Sequence, residues 1–521
     1  MKLRLFCFFI FTHLLSSAQD FVPQFIVNNN QAANDLEVYQ VAGNAAIGYY
    51  ALGNYQRSNV IAKLHTDLNM AEYGVLDKKD FSSKQAPYYT FRAMGDHLWL
   101  FHSSLNLKSY KNMLVAKEWE RDSMKLGSER TISSPEKLVP QLTAAGSQFV
   151  ISPGSKFIAI YAQEKSGLTG KYYVKVLNAD LQFVWEKEIE LTMSLTEMKT
   201  VKTMVDDEGN FYMLFYKIAA VNHMAFREFH FAACTQNGNT FKEVPLDLPN
   251  HRIQDCLFDV IPKTGIQFAG TYNAGDDIEI DGTFEIFMEP HDLLTTTPKI
   301  NPFSDDLVQE FGLNRDSLLD PASHQQPPRH MRYDEYLAPP KDTSTVRIFP
   351  NCFPLIDVHA TPDGGVTLLL EHELNAVDYV SNESSGYVTV NTVTTKCKRE
   401  ILAFHYDRNK LLWQDIIYKS QETISSNFRH MSFRPFYSGN DTWLLYNDNV
   451  ADDQNSYEYT SGELRICKLD SAGKIFIHDL TPTLPAETIF LNSFATQMDE
   501  QDLFIYCCAN FYLRRVELKM N

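Results

Sequence analysis

Residues 206–217 read DDEGN-FYMLFYK: a turn rich in Asp, Gly and Asn, then an apolar strand with no polar alternation until Lys217. The same phrase recurs along the chain. Gly43-Asn44 precedes AAIGYYAL, Gly95-Asp96 precedes HLWLFHS, and Gly154-Ser155 precedes KFIAIYAQ. Thr264-Gly265 precedes IQFAGTY, Gly364-Gly365 precedes VTLLLEHE, and Gly439-Asn440 precedes DTWLLYND. Glu500 to Asp502 precedes LFIYCCA, the eighth copy. The first five copies stand between 50 and 60 residues apart, and insertions lengthen the later gaps. A repeat of that period means a propeller or a solenoid.

Working outward from the phrase, a hairpin follows many copies. NVIAKLHTDLNMAEYGVL from Asn59, YYVKVLNADLQFVWEKEI from Tyr172, EILAFHYDRNKLLWQDII from Glu400 and ELRICKLDSAGKIFIHDL from Glu463 superpose. Each is an alternating strand, a turn at Asp67, Asn178, Asp407 or Asp470, and a second alternating strand, the pattern of a β-hairpin. The strand after the repeated turn is apolar on both faces and the later strands alternate. Radially stacked sheets bury their central strands on both sides and half expose their outer ones. The fold expected is therefore all-β, a propeller of about eight (alternatively seven) four-stranded antiparallel blades. The last copy supplies strands near Ile489–Phe494, Leu503–Ala509 and Tyr512–Leu518 but lacks an outer one. Phe21–Val27 (FVPQFIV) has no hairpin partner, so the N-terminal strand is expected to close the ring and remove an open edge.

Several of these turns resemble the short phrase of TolB-type and related bacterial propellers. They are Ser152-Pro153-Gly154-Ser155-Lys156, Asp206-Asp207-Glu208-Gly209-Asn210 and Thr361-Pro362-Asp363-Gly364-Gly365. The resemblance covers a few residues per repeat; it implies a bacterial propeller and no particular activity.

The N-terminus carries an export signal. Lys2 and Arg4 precede an apolar stretch from Leu5 to Leu15, and Ser16-Ser17-Ala18 gives small residues before a cleavage site at Gln19. That stretch is too short to span a bilayer, and no later run is longer. Outer-membrane barrel strands would alternate, which the strongest strands here do not. The reading is residues 1–18 as signal peptide and 19–521 as a single propeller, monomeric, without a membrane span, periplasmic or extracellular. The formal charge of −18 grows two units more negative when Lys2 and Arg4 leave. That balance argues against nucleic acid, which needs a basic face. Seven cysteines then remain, an odd number with no metal-type CxxC spacing, so a fully paired framework is excluded. One disulfide stays open.

Two insertions break the repeat. In 304–345, Ser304 reads as an N-cap before DDLVQEF, and five prolines follow from Pro321 to Pro340. The second, 375–398, is rich in Thr, Ser, Val and Tyr and reads as an extended hairpin. Long insertions on a rigid scaffold are where binding residues collect.

Candidate chemistry is thin. Asn447-Asp448-Asn449 with Asp452, Asp453 and Asn455 is rich in hard oxygen ligands, and Asp448, Asp452 and Asp453 are the calcium candidates. The run lacks the Gly and closing Glu of a helix–loop–helix calcium loop and reads first as a solvated acidic turn. Asp277, Glu279 and Asp281 share one strand face. Glu371-His372-Glu373 offers two carboxylates, but glycosidase pairs flank the substrate from different elements. His324, His330, Asp334 and Glu335 match no zinc spacing. No GxSxG, HExxH or P-loop occurs. Ser438–Trp443 only faintly resembles the sialidase Asp-box, and five tryptophans are too few for a quinoprotein propeller. No catalytic residue and no cofactor is expected. The leading function is a non-enzymatic binding or scaffold propeller of the bacterial cell envelope, with a protein or glycan partner. The alternative is an exported hydrolase of carbohydrate or peptide with acids converging at the channel.

Overall fold

The computed structural model describes 24–27, 36–65, 68–77, 89–106, 111–132, 149–163, 170–193, 198–221, 224–274, 280–289, 293, 295–304, 307, 353–384, 387–407, 410–423, 431–452, 459–480, 496–497, 502–507 and 512–517. Residues 1–18, expected above to be a signal peptide, and nearly all of 304–345 lie outside these residues. At the start of that insertion the N–H of Leu307 donates to Ser304 Oγ at 3.3 Å, the cap expected there.

Each repeat is a four-stranded antiparallel unit, called here a blade. Blades 1 to 7 span 36–75, 89–131, 149–191, 198–245, 252–302, 355–417 and 433–479. Blade 8 orders Thr496–Gln497, Asp502–Cys507 and Tyr512–Glu517, and its outer strand is Gln24–Val27 from the opposite end of the chain. The closing register runs from Gln24↔Glu517 to Val27↔Arg514. By hydrogen bonding the blades form seven sheets, six of four strands and one of nine. The nine-stranded sheet is blades 6 and 7 fused through the short segment Gln421–Thr423, so both the eight repeats and the sevenfold division have a structural basis.

The apolar run after each repeated turn is the second strand of a blade, and its burial is why it shows no alternation. All nine residues of Gly265–Asn273 are buried. Outer strands such as Lys125–Thr131 are largely exposed. Neighbouring blades share one core across their faces. Phe231 of blade 4 meets Phe258 and Phe268 of blade 5 edge-on, at 5.2 and 4.8 Å between ring centres. Met94, Trp99 and Phe101 of blade 2 pack on Phe149, Ile158 and Ile160 of blade 3. Each such side chain contributes about 1.5–3 kcal/mol by leaving water. Leu36–Asn44 of blade 1 lies against Tyr512–Glu517 of blade 8, where the ring closes.

Short polar side chains shape the repeated turn. Asp206 is buried: its Oδ1 accepts the N–H groups of Glu208 and Asn210, and its Oδ2 accepts Asn210 Nδ2 and the Tyr212 hydroxyl, all within 2.9 Å. Ser152 Oγ accepts the N–H of Lys156 and Phe157, and Asn44 Oδ1 those of Ala46 and Ile47. Gly209 supplies the left-handed residue of the turn at φ 81°. Asp206→Ala removes four charge-assisted bonds, one of them from the Tyr212 hydroxyl. It is expected to destabilise by about 2–4 kcal/mol, read as a lower denaturant midpoint; a shift within error would show that the turn holds without its side-chain cap.

Candidate functional site on the connecting face

Antiparallel order sorts the loops. First-to-second and third-to-fourth connections leave one face of the ring; second-to-third connections and the links between blades leave the other. Apart from 289–298 of blade 5 the first set is short, and Asn178, Asp407 and Asp470 each bond a backbone N–H of their own third-to-fourth turn. The opposite, connecting face carries both insertions. The 304–345 segment joins blade 5 to blade 6, and 375–398 is the second-to-third connection of blade 6. The latter is an antiparallel hairpin as expected, in register from Asn375↔Lys396 to Ser384↔Tyr387.

The base of this hairpin is clamped. Lys396–Lys398 pairs with Gln421–Thr423, and Gln421 pairs with Val450 of blade 7. Gln421 is fully buried. Its Oε1 accepts Lys419 Nζ (3.0 Å) and the Ser432 N–H (2.7 Å), and its Nε2 donates to the carbonyl of Asn447 (2.6 Å). Behind it Glu371, also fully buried, meets Lys419 at 2.9 Å and Lys398 at 2.7 Å and accepts the Ser432 hydroxyl at 2.7 Å. Burial raises the Glu371 carboxyl, but the two lysines more than offset it and hold it below the ordinary carboxylate value. Burial pulls Lys419 down, opposed by Glu371. Beside them His372 pairs with Glu400 at 2.7 Å under the Phe353 ring.

Around the channel the first strands of neighbouring blades lie against one another, and they carry charge. Asp259 of blade 5 receives His359 Nδ1 (3.2 Å) and the Ala360 N–H (2.9 Å) from blade 6. The His359 ring stacks on Tyr437 of blade 7, whose hydroxyl donates to Asp357 at 2.7 Å. Burial raises Asp259, yet His359, Lys202 and the Ala360 N–H leave it lowered and ionised. Burial, then Asp357, pushes the Tyr437 hydroxyl far above its usual value, so it remains a donor. The groups lace blades 5, 6 and 7 together, and the Asp259–His359 pair also has the form of an oriented general base.

The residues singled out in the sequence fall apart. Asp448 is buried and bound to Arg465 Nη1 at 2.6 Å and to the Ser420 N–H at 2.7 Å. Asp452 ends the same strand, its side chain outside the described residues, as is all of Asp453. Asp277 and Glu279 are outside them too, whereas Asp281 accepts the Ala274 N–H. His324, His330, Asp334 and Glu335 also lie outside. Among the described residues no three His, Cys, Asp or Glu side chains gather as a metal would need. Glu371 turns inward to its lysines, and Glu373 is a third exposed, 3.5 Å from Lys398. Trp443 is core. Cys234, Cys256, Cys397 and Cys467 are buried thiols. Sequence reading missed Lys419, Gln421 and His359, each in a stretch that reads as ordinary loop or edge. Among the described residues no helix is long and apolar enough to cross a membrane.

No family model and no curated protein matches the chain. Among solved structures it is similar to the β-propeller domain of the Trilobed protease from Pyrococcus furiosus, with 8% identity over 83% of this chain and 96% of that one, TM-score 0.35. Polysaccharide lyase Uly1 is 10% identical over 96% and 100% of the two chains, TM-score 0.36. Prolyl oligopeptidase B from Galerina marginata is 10% identical over 82% and 48%, TM-score 0.33. Likeness at this distance assigns no activity.

Proposed function

We propose that the chain is an exported binding propeller, of the bacterial cell envelope or its surroundings, that engages a macromolecule through its connecting face. One observation carries the reading: the two insertions leave the same face, and one of them stands on a buried, ion-paired clamp. Ordering entropy is the usual cost of binding with a loop. A hairpin fused at its base to two blades has met part of that cost before any partner arrives. The basic start and apolar run of residues 1–18 support export, and the acidic balance makes nucleic acid a poor partner.

The test is site-specific photocrosslinking in cells that make the full chain. A photoreactive residue at Asn382, in the hairpin, is expected to give discrete adducts that one at Asp122, in a short turn of the other face, does not. Equal labelling from both faces, or none from Asn382, would remove the proposal. The same preparation reports export: the mature N-terminus is expected at Gln19. The hydrolase reading rests on the Asp259–His359 pair alone, and in the binding reading His359→Gln leaves the Asn382 adducts unchanged.

A further inference from the structure

On the face opposite the insertions, one histidine bridges two blades with both of its ring nitrogens on carboxylates. His97 opens the second strand of blade 2, His97–Asn106, and its ring reaches blade 3. Nδ1 lies 2.6 Å from Glu118 Oε1, on the third strand of its own blade. Nε2 lies 2.9 Å from Asp180 Oδ1, in the third-to-fourth turn of blade 3. A carboxylate oxygen only accepts, and a neutral imidazole carries a single N–H. Both contacts are therefore hydrogen bonds only in the imidazolium. The neutral ring sets a lone pair against one of the two acids.

The same turn has two further ties to blade 2. Trp99 Nε1 donates to the Ala179 carbonyl at 3.0 Å, and Arg130 Nη1 donates to the Asp180 carbonyl at 3.1 Å. The Arg130 guanidinium also lies over the Trp99 ring at 5.1 Å, and the His97 ring is tilted on it at 5.6 Å. Neither an indole nor a guanidinium gives up its proton in the ordinary range. Of the three donors, His97 is the one whose charge changes near neutrality. The charged groups about it come from both blades. Blade 2 supplies Glu118, Arg130, Asp96 just before the ring, and Glu120, which accepts the Ser123 hydroxyl at 2.9 Å. Blade 3 supplies Asp180, with Lys175 and Glu186 opposite one another further along its ladder.

We propose that the seam between blades 2 and 3 is a pH-sensitive latch: the His97 imidazolium holds the 178–182 turn on blade 2, and in mild alkali the turn lets go while the ring stays closed. Burial lowers the proton affinity of His97, but Glu118 and then Asp180 more than offset it and hold the ring above the usual histidine value. A raised histidine contributes in full below about pH 6.5, its unfolded value, and the contribution is lost as pH rises through the folded one. Release is local because the layer beneath is apolar: Met94, Trp99 and Phe101 keep their packing on Phe149, Ile158 and Ile160.

The test is exchange of the Trp99 indole N–H, followed by NMR on the full chain labelled at its five tryptophans and corrected for intrinsic base catalysis. Between about pH 6 and about pH 9 its protection is expected to fall about threefold, the worth of a partly exposed charged contact. His97→Gln cannot titrate and should show the lower protection at both ends, without a step. Asp180→Asn should stay latched in alkali, since its amide can donate to the neutral Nε2. A histidine with only a structural role would leave the step of Asp180→Asn like that of the parent. Labelled histidine gives a second reading: the His97 midpoint should lie above about 6.5 in the parent and fall in Asp180→Asn. Parent protection without a step overturns the latch, as does a step that survives in His97→Gln or an Asp180→Asn chain that opens with the parent. Should His97→Gln not fold, a parent His97 midpoint at or below the usual histidine value overturns it as well.

Discussion

Glu371→Leu, with Lys419 left in place, is expected to lower stability by about 3–5 kcal/mol, the cost of stranding one charge of a buried pair. Lys398 has a fallback, because Glu373 lies 3.5 Å away and the Lys398 side chain is 18% exposed. Lys419 has none of that strength: it is fully buried, Gln421 Oε1 beside it is neutral and shared with the Ser432 N–H, and Asp448, the other acid that acts on it, is already paired with Arg465. The double change Glu371→Leu with Lys419→Met is expected to recover most of the loss, since apolar groups of similar volume often replace a buried ion pair without penalty. Acid should separate the variants too. Glu371, Glu400 and Asp259 are all held below the ordinary carboxylate value. A lowered carboxylate contributes stability that is complete above about pH 4, its unfolded value, and is lost as pH falls through the lower folded one. Asp255 and Glu285, raised by burial, run in the opposite sense and soften the net slope. The double variant should therefore lose stability less steeply than the parent between pH 5 and 3. Denaturant midpoints across that range decide it. A single variant as stable as the double would mean that Lys419 finds water or another acid, and the clamp would not be ionic in origin.

Much of the ring was legible because its signal is local. A turn closed by Asp206, Ser152 or Asn44 uses groups within a few residues, and a strand buried on both faces, such as Gly265–Asn273, shows as an unbroken apolar run. The N-terminal strand was legible by subtraction, as an apolar segment without a hairpin partner beside a last repeat short of one strand. The clamp had no such signal. Lys419, Ser420 and Gln421 are three polar residues after a strand and read as loop; only blade 7 packing over them buries the lysine. Glu371 and Glu373 looked alike in sequence. A shift of register between them turns one toward two lysines and leaves the other at the rim. Asp448 read first as part of a solvated acidic turn, and only second as a calcium candidate, because sequence shows its acidic neighbours and hides Arg465, which arrives from the adjacent strand. Arg252 and Asn273 face one another for a similar reason, through the blade 5 ladder and not through any local pattern.

A chain that starts at Asn28, without Gln24–Val27, is expected to open the ring. Gln24–Val27 is the outer strand of blade 8, and its loss leaves the edge Arg514–Glu517 without a partner. Four paired residues contribute about 2–6 kcal/mol if each backbone bond is worth its usual net amount, against a total of about 5–15 for a folded domain. The effect exceeds that sum in one respect. Blade 8 sits beside blade 1, so an unfinished blade 8 weakens a contact every other blade relies on to stay in a closed ring. An unpaired edge is also a template for another chain, so the shortened protein should melt earlier and form larger species with rising concentration. A synthetic peptide of residues 19–30 added in trans should restore the melting midpoint in a saturable way, as any ligand of the native state does. A scrambled peptide of the same composition should not. If the truncated chain melts with the parent and stays monomeric, blade 8 is complete without its N-terminal strand, and closure must come from packing between blades alone.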